Sequence, residues 1–272
     1  MSDTSLAQDY RKADWALVTG ASDGIGRALA VEAAKAGYNV ILTGRRTDRL
    51  EMHAEALRRA YFVATVVMTA DLADPEAAEG LWAEAAKDRR IAVLVNNAGL
   101  GRNGAFGDPE GWERETESIM VNIVAATILL KRAVAHMAAN GGGRILNVAS
   151  VAGFLPGPNM AVYHASKAYL LSLSEAVAVE AAKDAVFVST LCPGVTDTGF
   201  FTADNAVKAT LATRLMPLPG ADAVAVAGWQ GLEKGRRVIV PGVMNKIFAF
   251  LPRLAPRRLV AWGTGQFLKR RW

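Results

Sequence analysis

Trp15-Ala16-Leu17-Val18-Thr19-Gly20-Ala21-Ser22-Asp23-Gly24-Ile25-Gly26 is the stretch that decides the fold class. Trp15 to Thr19 is a short apolar run of strand type that ends at Gly20; a glycine-rich turn follows, and Arg27 to Ala36 has helical composition. Strand, glycine-rich turn and helix together make a phosphate-binding arrangement. Glycines let the backbone approach an anion closely, and a helix N-terminus offers free N–H groups and partial positive charge. The spacing Gly20, Gly24, Gly26 is looser than G-x-G-x-x-G, and a tight turn in any α/β protein would read the same way.

Outward from this stretch the alternation of strand and helix continues. Asn39-Val40-Ile41-Leu42-Thr43 reads as a second strand closing at Gly44-Arg45-Arg46. That is about 20 residues beyond the glycines, where a dinucleotide-binding unit reads the adenosine ribose. An acid there favours the free 2′-hydroxyl of NAD, whereas Arg45 and Arg46 suit a 2′-phosphate, so the expected cofactor is NADP(H), with NAD(H) as the alternative. A solvated surface role for either arginine is the competing reading. Asp48-Arg49-Leu50-Glu51 matches a capping pattern, with Asp48 as the cap of the next helix. Tyr61 to Met68 follows as strand three, then a turn at Ala70-Asp71-Leu72, a helix after Pro75, and strand four, Ile91 to Val95, ending in Asn96-Asn97-Ala98-Gly99. Repeated βα units predict a parallel sheet, and ligands bind such sheets beyond the carboxyl ends of the strands, where Asp71 and the Asn96–Gly99 run lie. Asn and Gly also serve simply as turn formers.

A helical segment from Pro109 to about Ala139 carries Asn122 inside an apolar stretch, where an amide needs a partner. Strand five, Arg144 to Ala149, delivers Ser150; after a turn-rich Gly153–Pro158 comes Tyr163-His164-Ala165-Ser166-Lys167, in a segment, Ala161 to Ala182, of helical composition. Residues four apart share a helix face, so Tyr163 and Lys167 project together. A phenol ionises near pH ~10 and a neighbouring ammonium favours the phenolate, so the pair suits proton transfer nearer neutrality, with Ser150 placed to hold a carbonyl oxygen. Tyr-x-x-x-Lys alone is a weak signal, because such pairs occur on ordinary amphipathic helices.

Taken together, Thr19-Gly20-Ala21-Ser22-Asp23-Gly24-Ile25-Gly26, Asp71-Leu72, Asn96-Asn97-Ala98-Gly99, Asn122, Ser150, Tyr163 to Lys167 and Pro193-Gly194-Val195-Thr196-Asp197-Thr198 resemble, in kind and order, the short-chain dehydrogenase/reductase family. The resemblance implies a doubly wound Rossmann fold, with a single parallel sheet of about seven strands flanked by helices on both faces. It implies Tyr163 as catalytic acid or base, Ser150 orienting the substrate carbonyl, Lys167 lowering the tyrosine pKa and holding the nicotinamide ribose, and Asn122 holding a water on a proton path to Lys167. Gly20, Ser22, Asp23, Gly24, Ile25, Gly26, Arg45, Arg46, Asp71, Leu72, Asn97, Ala98, Gly99, Tyr163, Lys167, Pro193, Gly194, Val195 and Thr198 would line the cofactor. Asp23 departs from those NADP-preferring relatives that place a basic residue in the glycine loop, so the phosphate preference rests on Arg45 and Arg46. The implied reaction is hydride transfer between nicotinamide and a carbonyl or secondary alcohol, by a homodimer or homotetramer. A substrate lid is expected at about 199–220, where Phe200, Phe201, Leu211, Leu215 and Met216, facing Phe154, Leu155 and Met160, suggest an apolar pocket; several are equally readable as core. Val186 to Leu191 and Val238 to Val240 read as the last two strands, and the residues beyond are similar to tails of fatty-acyl and steroid ketoreductase relatives.

Composition bounds the rest. The 272 residues are organised as a leader over 1–12, a body over 13–242 and a basic extension over 243–272 expected to pack on the body. Net charge is +5, yet Lys234 to Trp272 holds ten basic and no acidic residues, leaving 21 basic against 26 acidic side chains before it. This pattern locates a basic segment rather than a nucleic-acid partner. Lone Cys192 suits a reducing compartment, the start lacks a secretory signal, and no uninterrupted apolar stretch spans a bilayer, so a cytoplasmic protein is expected. His53, His136 and His164 lie far apart without ligands at metal spacing, so no metal is expected. Besides the oxidoreductase, two other readings stand: an NADPH-binding regulator without turnover, and a membrane-surface protein acting through the basic segment, whose prolines disfavour one continuous amphipathic helix.

Overall fold

The computed structural model describes residues 14–196 and 219–268. The leader 1–12, Asp197, Thr198, the lid residues 199–218 with Phe200, Phe201, Leu211, Leu215 and Met216, and residues 269–272 lie outside the described residues. Seven parallel strands form one sheet in the order β3-β2-β1-β4-β5-β6-β7. They are β1 (Trp15–Thr19), β2 (Asn39–Gly44), β3 (Thr65–Thr69), β4 (Ile91–Asn96), β5 (Gly143–Val148), β6 (Val186–Leu191) and β7 (Val238–Ile239).

Strand periodicity sorts the core into two layers. Ala16 and Val18 of β1 face helices α1 (Gly24–Lys35), α2 (Thr47–Tyr61) and α7 (Ala221–Glu233) through Leu29, Leu50 and Trp229. Leu17 points the other way, to α3 (Pro75–Ala86), a long helix over 109–139 and α6 (Ala161–Glu180), where Trp82, Leu129 and Ala178 cover it. The long helix comprises a 3₁₀ turn, α4 (Trp112–Ile119), a π-helical stretch at Met120–Ala125 and α5 (Ala126–Ala139). The chain order reverses between β1 and β4, and a ligand cleft belongs beyond the strand ends at that point.

Several expected boundaries move. Tyr61 ends α2 rather than starting strand three; Phe62 closes the helix in the left-handed region at φ 57° and lies exposed, so the aromatic pair marks a helix end. Asp48 is not the cap: Arg46 holds that position and Asp48 sits in the first turn, where a carboxylate still suits the helix dipole. No uninterrupted apolar stretch crosses a bilayer's width, but the helix at Pro109–Ala139 is long and apolar enough by length and composition to do so, with mean hydropathy 1.6 over its most apolar 18-residue window, which tolerates charged residues. Its apolarity serves the sheet instead, since Val121, Ala125, Leu129, Ala133 and Met137 are buried in the core. Beyond β7, α8 (Val243–Phe250) packs on the turn Val151–Phe154, and α9 (Arg257–Leu268) follows a 3₁₀ turn at Leu251–Arg253.

Candidate active site

The glycine loop is held by the ends of β1 and β4. Thr19 Oγ1 accepts from the Asn97 and Ala98 amides at 2.8 and 2.9 Å, and Asn97 Nδ2 donates to the Thr19 carbonyl at 2.9 Å. Asn97, expected to touch the cofactor, is therefore also a strut of the loop. Gly20 turns the chain at φ 65°, and a Cβ on Gly26 would lie 2.3 Å from both the Gly20 carbonyl oxygen and Asn97 Nδ2. The first turn of α1 thus rests directly on the loop, with its N-terminus facing the cleft. Asp23 caps that helix by accepting from Gly24 N at 2.8 Å, and its second oxygen meets Arg49 at 3.2 Å and Arg46 at 3.7 Å. The acid that departs from the expected loop is thereby a cap with a compensated charge. Gly26→Ala must push backbone against backbone, so it should lose about 1–3 kcal/mol of stability and weaken dinucleotide binding at least roughly tenfold, read by thermal unfolding and fluorescence titration.

Arg46 donates from Nη2 and Nε to Ser22 Oγ at 3.0 and 3.3 Å, which brings its guanidinium over the glycine loop. Arg45 Nη1 meets Glu117 Oε1 of α4 at 2.6 Å. Both arginines, with Asp71 and Leu72, line the same end of the cleft. Arg49, in the first turn of α2, adds to the basic group, with His53 one turn further on; the sequence offered Arg49 only as part of a capping pattern. His53 Nε2 lies 3.3 Å from the Ser22 carbonyl, and burial lowers its pKa.

At the other end stand Ser150, Tyr163 and Lys167. Ser150 follows β5, accepts from Ala152 N at 3.1 Å and donates to the Pro193 carbonyl at 3.3 Å. It is also hydrogen-bonded to the half-buried Tyr163 side chain. One helical turn on, the buried Lys167 donates from Nζ to the Val148 carbonyl at 2.9 Å and lies 5.8 Å from the centre of the Tyr163 ring. The expectation that Lys167 draws the phenol toward neutrality is corrected by this burial. Desolvation pushes Tyr163 up to about 12, opposed by the Ser150 hydrogen bond, and pulls Lys167 down to about 8. At neutral pH the site therefore presents a protonated phenol, a proton donor. Cys192, packed beneath, is pushed up to about 12 by its own burial and stays a thiol.

Asn122 stands behind the cleft rather than in it. Its Oδ1 accepts from Leu100 N and its Nδ2 donates to Leu100 O, both at 2.8 Å, and Nδ2 also reaches Ser166 Oγ at 3.0 Å. Ser166 in turn donates to the Tyr163 carbonyl at 2.8 Å. The π-helical stretch carries this amide, a feature that concentrates at functional sites. Expected among the catalytic groups, Asn122 is by these contacts a positioning residue that ties the loop after β4, the long helix and α6 together.

These groups share one cleft of about 760 Å³. Every residue expected to act on the substrate or hold the cofactor lines it except Asn122, which braces it, and Thr198, outside the described residues; of the expected apolar wall Leu155 and Met160 line it, whereas Phe154 packs against Ala149, Leu171 and Cys192 instead. The cleft wall also includes residues that no sequence pattern singled out: Asn245 and Phe248 of α8 and Gly263, Thr264 and Leu268 of α9. Leu100, Val121, Leu155 and Met160 make the remaining wall largely apolar. Each histidine is engaged by backbone, His136 by Ile91 N and His164 by the Leu155 carbonyl. A dinucleotide fits these residues: the helix N-terminus and close-packed glycines suit a pyrophosphate, and paired arginines at the β2 end suit the ribose end.

A doubly wound parallel sheet with a glycine loop at its switch point and a Ser–Tyr–Lys group in the adjoining cleft defines a dinucleotide-dependent oxidoreductase scaffold. The chain belongs to the short chain dehydrogenase family, whose model matches residues 14–209. It is 37% identical over 186 residues to hydroxysteroid dehydrogenase-like protein 1 of Gallus gallus, a match covering 66% of this chain and 55% of that protein. It is 30% identical over 267 residues to the Homo sapiens protein named inactive hydroxysteroid dehydrogenase-like protein 1, covering 96% of this chain and 78% of that one. Among solved structures, a short-chain dehydrogenase from Sphingobium yanoikuyae in complex with NADPH superposes with a TM-score of 0.78 at 29% identity, covering 85% and 88% of the two chains.

Proposed function

We propose that the protein is an NADP(H)-dependent oxidoreductase that interconverts a carbonyl and a secondary alcohol on a hydrophobic substrate. The observation that carries this reading is the Ser150–Tyr163 hydrogen bond above a buried Lys167, in the same cleft as the glycine loop. When bound, the dinucleotide supplies or accepts the hydride. Tyr163 and Ser150 are the donors that meet negative charge developing on the substrate oxygen, and the neutral phenol gives up the proton. Lys167 lends positive charge beneath the phenol at pH values below its pKa of about 8. Leu155, Met160, Phe248 and Leu268 exclude water and favour a bulky apolar substrate.

The name of the human relative favours a second reading, an NADPH-binding protein without turnover. Against it stands the retained set of donors, which binding alone does not need. The decisive experiment is titration with NADPH and NADH, followed by NADPH consumption with ketones of graded size. Turnover on any of them supports the oxidoreductase; tight NADPH binding with no turnover on the whole panel supports the regulator. Replacing Arg45 and Arg46 together with Ala removes two charge-assisted contacts, so NADPH affinity should fall roughly 10- to 100-fold with NADH affinity nearly unchanged. An unchanged ratio of the two affinities would remove the NADP assignment.

A further inference from the structure

Among the described residues, fifteen large apolar side chains are exposed, and eight of them fall between Val243 and Trp262. Such concentration in one short segment is not the scattered exposure normal for a protein surface. In α8 and the turn after it, Asn245, Phe248 and Ala249 face inward, with Asn245 and Phe248 on the cleft wall. Val243, Ile247, Phe250 and Leu254 recur every three or four residues on the outer side, with Met244 and Leu251 beside them. Leu254 is 70% exposed. Lys246 and Arg253, seven residues apart and both exposed, flank this stripe. In α9 the same division holds: Gly263, Thr264 and Leu268 line the cleft, while Leu259 and Trp262, three apart, face out, Trp262 with 68% of its surface exposed. Arg257 and Arg258 are exposed at the start of α9.

We infer that the outer face of α8 and α9 docks on an anionic lipid bilayer. Two observations select this occupant. Across residues 243–268 the charged side chains are Lys246, Arg253, Arg257 and Arg258, all exposed, with no Asp or Glu among them, so the face has the sign of charge that anionic headgroups attract. Its apolar residues, an indole among them, are the types that settle at the headgroup–acyl boundary beside basic residues. The break at Pro252 and Pro256 does not disrupt this, because two short helices, rather than one continuous one, present the apolar residues. Since the opposite faces of the same two helices form cleft wall, docking sets that wall against the membrane. The docking itself does not rest on the oxidoreductase reading.

The test mixes the full chain with phosphatidylcholine vesicles, with and without phosphatidylglycerol, and separates bound protein by flotation. Binding is expected only with the anionic lipid, weakening as salt rises. Ile247→Asp with Leu254→Asp, and separately Arg257→Glu with Arg258→Glu, should each reduce binding at least about tenfold, whereas Phe62→Asp, on another exposed aromatic, should not. No binding of the unaltered chain to anionic vesicles at low salt, or equal binding by both double variants, overturns the proposal. So does a third outcome, in which the apolar variant dissociates an oligomer in sedimentation while no form binds vesicles; the face would then belong to a second copy of the chain.

Discussion

Tyr163→Phe is expected to lower turnover by about 10²- to 10⁴-fold while leaving NADPH affinity and the fold essentially intact. The phenol is half-buried and, with desolvation raising its pKa, protonated at neutral pH, so its hydroxyl is the proton source beside Ser150. Removing one oxygen deletes that proton and one of two donors to the developing oxyanion, without opening space in the core. Ser150 keeps its contacts to Ala152 N and the Pro193 carbonyl, so the strand end beside it should not move. Single-turnover reduction of an accepted ketone, compared with cofactor titration of the same variant, checks both halves of the expectation. Residual turnover within tenfold of the unaltered chain would mean that another group supplies the proton and would displace Tyr163 from its proposed role.

The glycine loop and the arginines after β2 were legible in the sequence because their chemistry is local, set by spacing within one βα unit, whereas Ser150, Tyr163 and Lys167 were assigned by the resemblance of the whole motif set to a family, the Tyr-x-x-x-Lys spacing alone being a weak signal. The parallel sheet was legible from local pattern too, as apolar runs alternating with helical segments. What failed to show is tertiary. Tyr61 and Phe62 read as strand because an aromatic pair looks alike at a helix end and in a strand, and only the left-handed closure at Phe62 separates the two. Asn122 was readable as an amide in need of a partner, but the partner, the Leu100 backbone, comes from another element. Phe248 and Leu268 reach the cleft from the far end of the chain, a contact no local pattern encodes. The proton affinities of Tyr163 and Lys167 were read from their pairing, whereas burial governs both.

That burial gives Lys167 a cost that a substitution can expose. Lys167→Met keeps the length of the side chain and removes the charge, and it should abolish most turnover while raising stability at pH 7. A pKa of about 8 in the folded chain, against about 10.4 in an unfolded one, means the buried ammonium costs on the order of 3 kcal/mol. Loss of the hydrogen bond to the Val148 carbonyl returns about 1 kcal/mol of this. The variant should therefore melt roughly 2–8 °C higher at neutral pH. The sign of the pH dependence is fixed by the direction of the shift. Below pH 8 both states of the unaltered chain hold the proton and the folded state bears the full cost. Between about 8 and 10.4 the unfolded chain still holds the proton while the folded chain has released it, so the stability of the unaltered chain rises with pH and the advantage of methionine fades. Tyr163, raised to about 12 in the folded chain, titrates at its ordinary value in the unfolded state of both proteins alike, so its contribution cancels from the difference. Parallel melting curves from pH 6 to 10 test this, and a difference that stays constant, or a variant less stable at neutral pH, would show that Lys167 is held by compensating contacts rather than strained by burial. A lysine kept in this position at a cost to stability is what a proton-handling site requires, since activity and the most stable packing then favour different residues.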